Sequence, residues 1–221
     1  MTRGIFIAGN ESALSRAIEA ETLNRVEQYA VALIPNRLSG APKNIIQESE
    51  KRLSLSWNPS SPLSARTVVL GAENRLEHID EAILVCSPPS IRSNAAELPL
   101  SDIEVMINDH IKGWFFLVKE LAAIFTSRKR GVLALVYNNA GNTGKDDIAD
   151  VLGPSALASF RAMSDGLLAA ANSEQYITVG FSNSDTGNES AFADFVYKKV
   201  DEINERSNGK LYKFGKFNLF K

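Results

Sequence analysis

One cysteine, Cys86, stands in 221 residues. No disulfide can form within the chain, and no zinc site can rest on thiolates. Histidine is nearly as scarce. His78 and His110 lie far apart, so a metal site would have to be built from carboxylates. No spacing of acidic residues suggests one, and none is expected. Charge of one sign is also missing. The 24 basic and 26 acidic side chains leave a net charge of −2, which argues against a generic nucleic-acid binder or a polybasic membrane anchor. The only tight basic run, Arg128-Lys129-Arg130, closes a predicted helix, where cations suit the negative end of the helix dipole. No apolar run approaches the ~20 residues needed to span a bilayer. Charged residues from Arg3 to Glu21 interrupt any leader-like segment at the start. The expectation is a cytoplasmic protein with neither a nucleic-acid nor a membrane partner. On that reading the glycosylation-like triplets at 10–12 and 188–190 are chance matches.

What is abundant is regular alternation. Hydrophobic residues make up 44% of the chain, enough for a substantial core. Apolar strand candidates fall at 4–9, 29–36, 53–57, 82–86, 131–137, 176–181 and 210–214. Helical patterns fall between them at 12–27, 62–77, 101–127, 154–171 and 191–206. The longest, 101–127, carries Ile111, Trp114, Phe115, Val118, Leu121, Ala122 and Phe125 on one stripe. Ser101 and Asp102 are candidate caps, and Glu104 sits near the capping-box position. The polar stretch 38–51 is expected to be partly helical. Strand and helix alternate throughout, with no linker or repeat. This predicts a single α/β domain over 1–221: a doubly wound, mostly parallel sheet of about seven strands, Rossmann-like, with helices on both faces.

In such a sheet, ligands bind beyond the carboxyl ends of the strands, near the first strand-to-helix turn. That turn reads AGNESALS, 8–15. Gly9 permits close backbone approach, Ser12 offers a hydroxyl, and Leu14 lies in the first helical turn. Gly9 could equally be a plain tight turn. After the second strand come Asn36 and Arg37. An acidic residue there would suit a ribose diol, whereas an arginine favours a 2′-phosphate. These five residues are the candidate cofactor contacts, and Arg37 tilts any dinucleotide towards NADP.

YNNAGNTGK, 137–145, holds two further signals. The P-loop reading fails on counting. Asn139 stands where the first glycine belongs, and Asp146 follows Lys145 in place of Ser or Thr. NNAG leads elsewhere. Together with GIFIAGNESALSRAI, HIDEAILVCSPP, INDHIKGWFFLVKEL, RGVLALVYNNAG and PSALASFRAMSDGLLAAA, it gives a chain that resembles the short-chain dehydrogenase/reductase family from about residue 4 to 216. The resemblance implies a Rossmann-fold oxidoreductase. It also implies an Asn, a Ser, and a Tyr four residues before a Lys: the Tyr to move a proton, the Lys to lower its pKa and hold the ribose. Carried over position by position, the Asn slot holds His110 and the Ser slot Asn138. The Tyr and Lys slots hold Leu157 and Arg161. Only Gly9 of the usual three loop glycines is kept. Cys86-Ser87-Pro88-Pro89 stands where the family places Asn-Asn-Ala-Gly after its fourth strand. Here that motif sits one strand too late.

A leucine cannot relay a proton, and an arginine stays charged with a different shape. Nearby Ser155 and Ser159 are poorer donors than tyrosine. The literal Tyr-x-x-x-Lys at 212–216 lies on a strand, where four residues span about 13 Å. The reading is therefore a degenerate, non-catalytic relative with binding, regulatory or oligomeric roles and no cofactor or a weakly bound NADP. A rearranged reductase using His110 or Tyr137 as proton donor is the alternative, and a sensor that binds a dinucleotide without turnover is a third. The resemblance also implies a homodimer or homotetramer through helices 101–127 and 154–171. Ile111, Trp114, Phe115, Phe125, Phe160, Met163 and Leu167 are candidates for an exposed apolar excess there. A small-molecule ligand is compatible with the reading but unnamed by it.

Overall fold

The computed structural model describes residues 3–35, 37, 49–139, 150–185 and 187–215. The expected alternation is present. The strands are β1 (Ile5–Asn10), β2 (Tyr29–Ile34), β3 (Arg52–Ser54), β4 (Glu81–Cys86), β5 (Val132–Asn138), β6 (Ile177–Asn183) and β7 (Leu211–Phe214). They form one sheet in the order β3-β2-β1-β4-β5-β6-β7, and each pairing is parallel. The chain winds outward from β1 in one direction, then returns to β4 and winds outward in the other. The switch between β1 and β4 places a crevice beyond their carboxyl ends.

Helices cover both faces, so the central strands are apolar throughout. Successive side chains point to opposite faces. Phe6 and Ala8 of β1 and Leu133, Leu135 and Tyr137 of β5 pack under α2 (Pro62–Arg75), α4 (Gly113–Arg128) and α5 (Leu152–Ala170). Ile5, Ile7, Ala134 and Val136 pack under α1 (Ala13–Leu23) and α6 (Glu189–Asp201). Trp114 and Phe125 are wholly enclosed on the first face, Phe192 and Tyr197 on the second. Each such ring withdraws about 150–250 Å² from water.

Two expectations about the long helix change. It is a rod of α3 (Leu100–Ile107), a π-helical turn (Asn108–Lys112) and α4. It starts one residue early, after Pro99, with no side-chain cap. The Pro99 carbonyl accepts from the Asp102 and Ile103 amides at 3.0 and 3.2 Å, so Ser101 lies inside the first turn rather than at its cap, and Asp102 is buried. At the far end, Arg128 donates to the Ile79 carbonyl at 2.7 Å and pairs with Glu73 and Asp80, which Arg130 also reaches. The basic run thus fastens the end of α4. Of the stretch 38–51, residues 38–48 lie outside the described residues.

Candidate functional site

The crevice has two ends, named for what the resemblance places there: a nucleotide end, at β1–α1 and β2, and a chemical end, at β5, α5 and the π turn. Gly9 sits one residue before the end of β1. A Cβ there would lie 2.8 Å from Ser15 Oγ and 3.0 Å from the Val85 carbonyl oxygen. Glycine is required for α1 to approach β4, which is a packing reason. The Ser12 side chain accepts from the Ser15 amide at 3.1 Å and caps the helix. Its hydroxyl is thereby occupied by the protein. The Leu14 side chain is buried in the α1–sheet core. What Leu14 can offer a ligand is its amide, which with that of Ala13 is left without an intrahelical partner at the helix start. These amides and the positive end of α1 fit a phosphate group.

Asn10, the last residue of β1, was not among the candidates. Its Nδ2 donates to the Ser87 carbonyl, tying β1 to the turn after β4 across the crevice. Its Oδ1 is buried without a hydrogen-bond partner. Such an acceptor is a stated cost unless something donates to it. Ser87-Pro88-Pro89 is in turn held from above. A Cβ on Gly153 of α5 would lie 2.9 Å from the Pro89 carbonyl oxygen, and Arg92 bridges to Asp150.

Arg37 lies three residues beyond β2, and its guanidinium is not free. Nε donates to Asp109 Oδ2 at 3.0 Å, and Nη2 donates to Oδ1. Asp109 belongs to the π turn, and its side chain is 0% exposed against 41% for Arg37. Asn36 lies outside the described residues.

At the chemical end, strand parity decides the arrangement. Tyr137 points to the α4–α5 face and Asn138 to the other. The Asn138 side chain accepts from Asn183 Nδ2 at 3.1 Å, locking the ends of β5 and β6 together. Tyr137, 2% exposed, meets the Phe160 ring edge-on at 6.1 Å, and Trp114 meets the same ring at 5.1 Å. Arg161, exposed on α5, lies near enough to act on the Tyr137 hydroxyl. Burial raises its pKa, Asp165 adds to that, and Arg161 opposes both. Leu157 packs on the same core. His110 is buried in the π turn, and desolvation pushes its pKa down to about 4. It is neutral at pH 7. A π turn commonly marks a functional position in a helix.

Arg161 therefore meets Tyr137, while Asn138 is held on the opposite face. The Tyr137–Arg161 pairing was missed because the motif slot pointed to Asn138. The alternation Leu133, Leu135, Tyr137 was the signal that could have found it. Residues 140–149, including the rest of NNAG and GNTGK, lie outside the described residues, as does Lys216. Tyr212 stacks on Phe181 on the α6 side. Among the described residues, no three His, Cys, Asp or Glu side chains cluster as a metal site, and no helix is long and apolar enough to cross a membrane.

No protein-family model matches the chain, and no curated protein matches it. Solved structures do. A short-chain dehydrogenase from Bacillus anthracis superposes with a TM-score of 0.72 at 12% identity, covering 96% of this chain and 94% of that one. A short-chain dehydrogenase/reductase from Serratia marcescens gives 0.67 at 12%, covering 96% of each. An NADH-dependent reductase, A1-R′, complexed with NAD gives 0.70 at 9%, covering 96% and 95%. The chain has the short-chain dehydrogenase/reductase fold over nearly its whole length.

Proposed function

We propose that this protein is a divergent member of the short-chain dehydrogenase/reductase family that does not carry out the family's hydride transfer and acts as a non-catalytic binding or regulatory subunit. One observation carries the reading. The resemblance puts Leu157, partly buried against the core, where the family has its tyrosine, and Tyr137, which carries a hydroxyl, is only 2% exposed, edge-on to the Phe160 ring. A general acid must reach the proton it transfers. His110 is held neutral and buried. At the nucleotide end, the Ala13 and Leu14 amides would hold a phosphate, and a bound dinucleotide would supply the hydride chemistry. Those contacts support weak binding. Purified protein given NADPH and a panel of small carbonyls should show no cofactor oxidation.

The oligomer belongs to the same proposal, with a revised surface. Trp114, Phe125, Phe160 and Met163 are buried against the sheet, while Ile111 and Leu167 are half-buried. Phe115, 51% exposed, remains, and Leu100 and Ile107 of α3 join it. Alongside, Ala158, Ala162 and Gly166 of α5 are exposed and small, which permits close helix approach. We assign this face to a homodimer or homotetramer. Sedimentation as a monomer at high concentration would contradict it.

A further inference from the structure

We infer that Asp109 cancels the charge of Arg37 and thereby makes this protein indifferent to the 2′-phosphate that separates NADP from NAD. The inference rests on the reading of the crevice as a weak dinucleotide site. An arginine just beyond β2 stands where the adenosine ribose of a dinucleotide would lie. Left alone, it would attract a phosphate through charge-assisted bonds. Here one whole edge of the guanidinium, Nε and Nη2, is used by both oxygens of Asp109. The pair has no net charge. It is also hard to open, because the Asp109 side chain is fully enclosed, and a buried carboxylate stripped of its partner is strongly unfavourable. A 2′-phosphate would have to share the guanidinium with a carboxylate that cannot follow it into solvent.

The position of Asp109 gives the pair a second consequence. Asp109 directly precedes His110 in the π turn. A Cβ on Gly113, the next residue after that turn, would lie 2.7 Å from Pro59 Cβ. The turn is thus wedged against the segment between β3 and α2 on one side and tied to the segment after β2 by Arg37 on the other. The arginine that sequence reading assigns to a ligand is a strut for the helix bulge.

Calorimetric titration of the wild type, Asp109→Asn and Arg37→Gln with NADPH and NADH tests this. The wild type should bind both within about threefold of each other. Asp109→Asn frees the arginine and should tighten NADPH by about tenfold or more, the range of one charge-assisted hydrogen bond, with NADH unchanged. Arg37→Gln should leave the NADPH-to-NADH ratio as it was. Its urea midpoint should fall, and the double variant should recover most of that loss. A wild type preferring NADPH more than about tenfold, an Arg37→Gln variant losing NADPH selectively, or an Asp109→Asn variant with no gain in NADPH affinity overturns the inference. That last outcome includes binding neither nucleotide. Carbonyl turnover would sink the non-catalytic reading and leave this one standing; an unmoved Asp109→Asn does the reverse.

Discussion

The two ends of the crevice are built in different ways. At the β1–α1 end the backbone still offers what a phosphate requires: a strand, a tight turn with Gly9, and a helix start with open amides. The side chains there have been drawn into the protein, with Ser12 capping α1 and Asn10 tied to Ser87. At the β5–α5 end it is the side chains themselves that differ. Leu157 packs partly buried against the core, Asn138 bonds to Asn183, and Tyr137 is enclosed against the Phe160 ring. Backbone features survive substitution because the fold needs them. Proton chemistry depends on single side chains, and those can be lost without disturbing the sheet. On the function proposed above, the first end would keep a phosphate contact and the second serves packing.

Breaking the link between the two ends should have the largest effect. Arg37→Ala leaves the enclosed Asp109 carboxylate alone and should cost about 3 kcal/mol, at the lower limit for a buried pair because Arg37 is partly exposed; urea unfolding measures it. Next comes His110. Its folded pKa lies below its unfolded value near 6.5, so its contribution is fully present above about pH 6.5. Below that, the unfolded chain takes up a proton that the folded protein refuses. Stability should fall by about 3 kcal/mol from His110 alone between pH 6.5 and about pH 4. Thermal melts of the wild type should show this slope, and His110→Gln should lose it.

At the nucleotide end, Gly9→Ala pushes a methyl group against Ser15 Oγ and the Val85 carbonyl, an overpacking cost of about 1–3 kcal/mol. It should also weaken whatever nucleotide binding exists. At the chemical end, Tyr137→Phe removes one buried hydroxyl and should cost only about 1 kcal/mol, read from the urea midpoint. Smallest in stability is Phe115→Glu. That side chain already faces solvent, so melting should hardly move, while sedimentation should shift from oligomer to monomer.

Much of the fold was legible because it is written in periodicity. All seven strands stand where apolar runs occur, and 101–127 is one helical rod as its stripe implied. The π turn within it was not legible, since its residues have ordinary helical character and the bulge reflects packing against α5 and the segment at Pro59. The site was only half legible. Leu157 and Arg161 are singled out only through the family resemblance. Sequence spacing could not pair Arg37 with Asp109, 72 residues away, because nothing local connects them. Tyr137 and Asn138 show a finer failure. The motif named one neighbour, whereas strand parity put the other on the α5 face.

The most direct test of the central claim is NADPH oxidation, followed by absorbance, with the purified protein and a broad panel of aldehydes and ketones. No oxidation above the protein-free rate is the predicted result. Sustained turnover that disappears in His110→Ala or Tyr137→Phe would contradict it, because it would return proton chemistry to an end of the crevice assigned here to packing.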